Sequence, residues 1–115
     1  MQGYMDMVKS IFITFDGYVA RRKTMKTFEG CKVDHRLKIT PNHFYEVLSG
    51  RKNFEIRKND RKFRIGDFVV LEEFKPIGKK YSGRAVLVCI TDMFDISDVV
   101  ENFVAFTFDE IDRIV

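Results

Sequence analysis

Lys52, Glu55 and Arg57 stand close together in GRKNFEIR, residues 50–57. A lysine offers a compact ammonium to a phosphate or, once desolvated, acts as a base. An arginine grips a phosphate or a base edge through two parallel N–H bonds. A glutamate two residues before that arginine on an extended chain shares its face, so it orients the guanidinium or accepts from a base amino group. The same residues also make an ordinary ion pair beside a solvated lysine, and their surroundings must decide between the two. Those surroundings are lopsided in charge. Residues 51–64 carry seven Lys or Arg against two acids, while the whole chain has a net charge of only +3. Residues 92–115 hold seven acids and one base. This polarity fits a basic face that meets an anionic partner, with ordinary surface charge as the plain alternative. Lys58, Arg61, Lys62 and Arg64 read as a rim that contacts phosphates without reading sequence, or as a solvated face.

A base taken out of a stack needs an aromatic surface, which Tyr45, Phe54, Phe63, Phe74 and Tyr81 could supply. Most of these belong in a core. Phe63, between Lys62 and Arg64, and Tyr81, at the start of YSGR, are the two expected to reach a cleft. Arg84 is a further anion-binding candidate, with Gly83 expected to let the backbone approach a ligand. The pair Asn59 and Asp60 reads as turn chemistry.

The elements that must position these groups follow from periodicity. In HRLKI, residues 35–39, Leu37 and Ile39 alternate with Arg36 and Lys38, as in a half-buried strand. Thr40 and Pro41 open a helix, with threonine as a cap and proline at the first position. Phe44, Val47 and Leu48 recur at helical spacing, and Gly50 ends the helix. NFEIR then alternates as a strand, Phe54 and Ile56 on one face and Asn53, Glu55 and Arg57 on the other. FVVLEEF is a further strand after the turn at Ile65, Gly66 and Asp67. The long apolar segment YSGRAVLVCITDMF reads as a central strand bent at Ser82 and Gly83. DISDVVEN suits a helical turn, and FVAFTF, residues 103–108, a closing strand. Residues 10–24 read as a hairpin around Asp16 and Gly17, within an N-terminal extension of residues 1–34 that precedes a domain of residues 35–115. One early helix and several strands joined by short loops argue for an α+β, mostly β fold, a small curled barrel with one or two short helices.

At 115 residues, 45% apolar and 14% aromatic, the chain suits one globular domain and not a disordered one. Its longest uncharged apolar runs, residues 11–15 and 85–90, are far short of the roughly 20 residues that cross a bilayer. MQGYMDMVKS has neither the basic start nor the long apolar run of a secretory signal, so a cytoplasmic protein with no membrane partner is expected. Cys89, inside AVLVCI, reads as a buried thiol. Cys31, Asp34, His35 and His43 lack the paired spacing of a zinc site, so neither metal nor cofactor is expected.

GRKNFEIR fits the GxKxxExR signature of the ASCH domains, a branch of the PUA-like β-barrels, at Gly50, Lys52, Glu55 and Arg57. With HRLKITPNHFYEVLSG before it and EIRKNDR, the IGD turn, YSGR and FVAFTFDEI after it, the chain resembles a small bacterial and phage family of ASCH-related proteins of unassigned function, over residues 35 to about 111. The resemblance implies a PUA-like barrel with a helix beside a cleft where the signature lysine, glutamate and arginine gather. It also implies RNA or a nucleotide as ligand, with Lys52, Glu55, Arg57, Lys58, Arg61, Tyr81 and Arg84 as binding residues. Some small ASCH proteins are hydrolases of acylated cytidine or RNA, which makes Lys52 and Glu55 the catalytic candidates of an alternative reading. In the amidase branch a threonine stands two places before the motif arginine, and here that position is Glu55. Thr40, Ser49 and Ser82 are the spare hydroxyls. Metal-assisted cleavage would gather Glu55 with Asp67, Glu72 or Glu73. A third reading is a protein-interaction module whose basic strip meets an acidic partner.

Overall fold

The computed structural model describes Phe28 and residues 30–115. The hairpin expected over residues 10–24 lies outside the described residues. The fold is α+β and mostly β, as the sequence leads one to expect. Strands β1 (His35–Ile39), β2 (Phe54–Lys58), β3 (Phe68–Lys75), β4 (Lys80–Asp95) and β5 (Phe103–Ile114) accompany one helix, α1 (Pro41–Leu48). They form a single sheet in the order β1-β3-β4-β5-β2, curled into a half-barrel with β4 at its centre. β1 runs parallel to β3, and the other neighbours are antiparallel. β1 and β2 therefore stand at the two ends of the sheet and face each other across an open seam.

FVVL in β3 and AVLVCI in β4 are continuous apolar runs because both faces of the sheet centre are covered. On the inner face Leu37, Val69, Leu71, Val86, Val88, Ile90, Val104, Phe106 and Phe108 pack with Phe44 and Val47 of α1. On the outer face Phe28 and Cys31 pack with Phe68, Val70, Ala85, Leu87 and Cys89. Phe28 and Cys31 thus bind the end of the N-terminal region to the sheet.

α1 starts at Thr40, whose carbonyl accepts from the Phe44 N–H at 2.8 Å. Its hydroxyl makes no capping bond, contrary to the sequence expectation; Pro41 already supplies the helical φ and lacks one of the donors a cap would satisfy. Gly50 adopts a φ of 81°, which turns the chain sharply from α1 toward β2.

Both cysteines are free and buried. Burial, followed by the nearby Asp34 carboxylate, pushes the Cys31 thiol up to about 11, and burial also raises Cys89. Neither forms appreciable thiolate at neutral pH. In a colorimetric thiol assay at pH 8 both are expected to react at the rate of global unfolding, and immediately in denaturant. Immediate reaction of the native protein would contradict this packing.

Candidate functional site

The alternation of NFEIR is present, but its faces are reversed with respect to burial. Glu55 is 3% exposed, whereas Phe54 is 41% and Ile56 50% exposed. The cause is the register with β5, which sets Glu55 opposite the fully buried Phe106 and Arg57 opposite Val104. The polar face of β2 therefore lines the interior near the open seam, and its apolar face looks outward.

Inside the seam the three signature side chains meet. Arg57 donates from Nε to Glu55 Oε1 at 2.8 Å and from Nη2 to the Lys38 carbonyl at 2.7 Å. The second bond ties β2 to β1 where no backbone ladder joins them. Lys52 is placed by its own N–H, which donates to the Glu46 carbonyl at the end of α1. Its Nζ lies 3.1 Å from Glu55 Oε2 and 3.3 Å from His43 Nδ1. The approach to Oε2 is close enough for an ion pair yet outside hydrogen-bond geometry, so this buried oxygen keeps an unused acceptor site. With Nδ1 of His43 facing an ammonium, the tautomer protonated at Nε2 is the compatible one.

The triad lines a hollow of about 520 Å³ together with Lys38, Ile39, Thr40, His43, Phe54 and Ile56. A second hollow of about 510 Å³ is lined by Arg36, Leu37, Lys38, Arg57, Arg61, Glu72 and Tyr81. Lys38 and Arg57 belong to both. The Lys38 ammonium sits 4.5 Å from the centre of the Phe74 ring and has no carboxylate partner among the described residues.

Residues 34–106 match the model of a family described as a domain of unknown function, DUF3850. The chain belongs to that family. It is also 39% identical over 70 residues to the uncharacterized 12.9 kDa protein in the GpA 3′ region of Escherichia phage P2. That alignment covers 61% of this chain and spans 62% of the phage protein's length. The DUF3850 match contains the triad and both hollows.

Of the residues singled out in this DUF3850 domain, Lys52, Glu55 and Arg57 share the first hollow, and Arg61 and Tyr81 line the second. Lys58 is exposed and lines neither, as are Lys62 and Arg64. Phe63 does not reach the cleft. It is 6% exposed and packs on His35 and Phe106 at ring distances of 4.6 and 5.1 Å. Its turn is pulled inward because Asp67 accepts from the Arg64 N–H and pairs with His35 at 2.7 Å. Arg84 is likewise engaged elsewhere. It donates from Nε and Nη2 to Glu73 at 2.9 Å each, while Ser82 Oγ donates to Glu73 at 2.6 Å. This arrangement follows from a bulge in which Glu73 alone opposes Ser82, Gly83 and Arg84. Gly83 is required by its φ of 94°, and a side chain there would meet no protein atom within 4 Å.

The Arg84 hydrogen bonds hold the Glu73 carboxyl below its ordinary range, against the opposing effect of burial. A lowered carboxylate pKa stabilises the fold above the unfolded-state value and is lost as pH falls through the folded one. Thermal unfolding followed from pH 7 to pH 3 should therefore show a stability loss below about pH 4.5 that is smaller in Glu73→Gln. An identical profile in that variant would remove Glu73 as the cause.

The carboxylates proposed for metal-assisted cleavage do not gather. Glu72 pairs with Arg36, Glu73 with Arg84 and Asp67 with His35. Among the described residues no three His, Cys, Asp or Glu side chains converge as metal ligands. Also among them, no helix is long and apolar enough to cross a membrane.

Lys38, His43, Ile56 and Arg36 were not marked as site residues by the sequence. The polar phase of HRLKI shows that Arg36 and Lys38 leave the core, but only the meeting of β1 with β2 across the seam makes them neighbours of Arg57.

Proposed function

We propose that this DUF3850 domain binds a nucleotide or RNA in the seam between β1 and β2, as a PUA-like, ASCH-type module acting in the cytoplasm. The observation that carries the reading is Glu55, a carboxylate 3% exposed that holds Lys52 and Arg57 at the wall of one hollow. Burying this carboxylate costs desolvation energy that pairing with two cations offsets, and the pairing holds the donors of Lys52 and Arg57 in place at the hollow. Arg57 Nη1 makes no hydrogen bond among the described residues and is left to take a phosphate oxygen. Glu55 stays buried behind the two cations and fixes their positions, and it does not itself reach the ligand. Phe54 and Ile56 supply apolar surface for the flat body of the base.

Lys52→Ala and Arg57→Ala should each weaken binding of nucleoside monophosphates or short RNA about tenfold or more, the scale of one charged hydrogen bond. Titration calorimetry reads the affinity, and circular dichroism confirms that the variants fold. Unchanged affinity in both folded variants would defeat the reading.

One observation favours hydrolysis as a second reading. Lys52 touches both Glu55 and His43, and Thr40 lines the same hollow, so a hydroxyl, two bases and an acid line one space. Turnover of an acylated nucleoside or of RNA that disappears in Glu55→Gln would establish it, and no turnover would leave binding alone.

A further inference from the structure

We infer that the ligand crosses the seam as a single-stranded oligonucleotide of at least two nucleotides, with one base in each hollow and the linking phosphodiester at Lys38 and Arg57. This rests on the nucleotide-binding reading above and extends it from one hollow to two. Lys38 and Arg57 are the residues the two hollows share. They are also cations with donors left over. Lys38 has an ammonium without a carboxylate partner among the described residues, and Arg57 has its Nη1. A phosphate linking two nucleosides is the anion that belongs at such a junction, because its neighbours must diverge into separate spaces.

The second hollow has the parts for the second nucleotide. Tyr81 is half-buried and braced edge-on by Phe74 at 5.0 Å, which fixes its ring at the hollow's wall. Arg61 donates from Nη1 to the Arg36 carbonyl at 3.1 Å, which holds its guanidinium at β1, and its Nε makes a loose ion pair with Asp60 at 3.9 Å. Arg36 is paired with the buried Glu72, which offsets the one carboxylate on this side. Across both hollows five Lys or Arg side chains stand against two glutamates, an excess of three positive charges. A 5′-monophosphate brings about two negative charges, and the phosphodiester of a 5′-phosphorylated dinucleotide adds the one that completes the balance.

The two side-chain bonds from Arg57 and Arg61 to carbonyls of β1 bear on the kind of chain admitted. They occupy the Lys38 and Arg36 carbonyls that a peptide strand adding to this edge would need. A partner carrying its own charge and bases fits the seam better than an extended peptide does.

The test compares the purified full chain with ribonucleoside 5′-monophosphates and with the matching 5′-phosphorylated dinucleotides, pApA, pUpU, pCpC and pGpG, by titration calorimetry at one fixed salt concentration. At least one dinucleotide should bind about tenfold or more tighter than its monophosphate, the scale that stacking one further base supplies. Tyr81→Ala and Arg61→Ala should bring that ratio toward one, and Tyr81→Phe, which keeps the ring, should preserve it. Equal affinity for every mononucleotide and dinucleotide pair would overturn the two-subsite inference while leaving nucleotide binding standing. Binding to neither class would overturn both.

Discussion

Glu55→Ala is expected to lower the stability of the domain by about 2 kcal/mol, because it leaves two cations facing each other without the carboxylate between them. Glu55 is 96% buried at its side chain, with Lys52 and Arg57 retaining 16% and 26% of their side-chain exposure. That residual solvent contact puts the cost below what a fully buried broken ion pair would show. For a domain of this size the loss corresponds to a fall of about 8 °C in melting temperature. Pairing the change with Arg57→Ala provides the internal check. The double variant should lose less than the sum of the two single ones, since removing the second partner relieves a charge that the first change stranded. Differential scanning calorimetry of the four proteins reads the coupling. Strict additivity would mean that the pair contributes nothing, and the account of a pre-oriented triad would fall with it.

Phe106→Ala is expected to have the larger effect on stability, about 4 kcal/mol, or roughly 16 °C in melting temperature. Its ring is fully buried and touches Phe63 at 5.1 Å and Phe108 at 6.5 Å between centroids. The surrounding shell comes from strands fixed by backbone ladders, so it cannot collapse to fill the space. Phe106 also sits opposite both Glu55 on β2 and Met93 on β4. The cavity would therefore open beneath the strand that carries the triad. Urea denaturation should show a lower midpoint with little change in slope, and a variant that retains wild-type stability would contradict the packing. Phe106→Leu, which keeps most of the apolar volume, should recover a large share of the loss.

The period of each segment was legible without coordinates because side chains alternate along a strand and recur at 3.6 residues on a helix whatever they pack against. HRLKI, PNHFYEVL, FEIRK, FVVLEEFK and the long segment ending in TDMFD all form the elements their patterns imply. The gathering of Lys52, Glu55 and Arg57 was legible too, since a turn at Gly50 and a two-residue spacing on one strand keep them near one another. What alternation cannot state is which phase faces inward. For Phe54 and Ile56 against Glu55 and Arg57, the register with Phe106 and Val104 settled that, and it settled it against hydrophobicity.

The aromatic ring between two charges at Lys62 and Arg64 misled for a related reason. Local composition marks a turn as solvated, but Asp67 and His35 fold that turn back so that Phe63 completes the inner core. Arg84 was drawn to Glu73 by a bulge that depends on how β3 and β4 align, which neither strand encodes alone. By itself the sequence determined the elements, the mostly β class and a Lys52, Glu55 and Arg57 triad at the start of one strand, because these depend on neighbours a few residues apart. Only the tertiary structure decided that β1 and β2 meet at an unpaired seam, that Lys38 and Arg57 stand between two hollows there, and that Glu55 is buried where it holds Lys52 and Arg57, because each depends on contacts between residues distant along the chain.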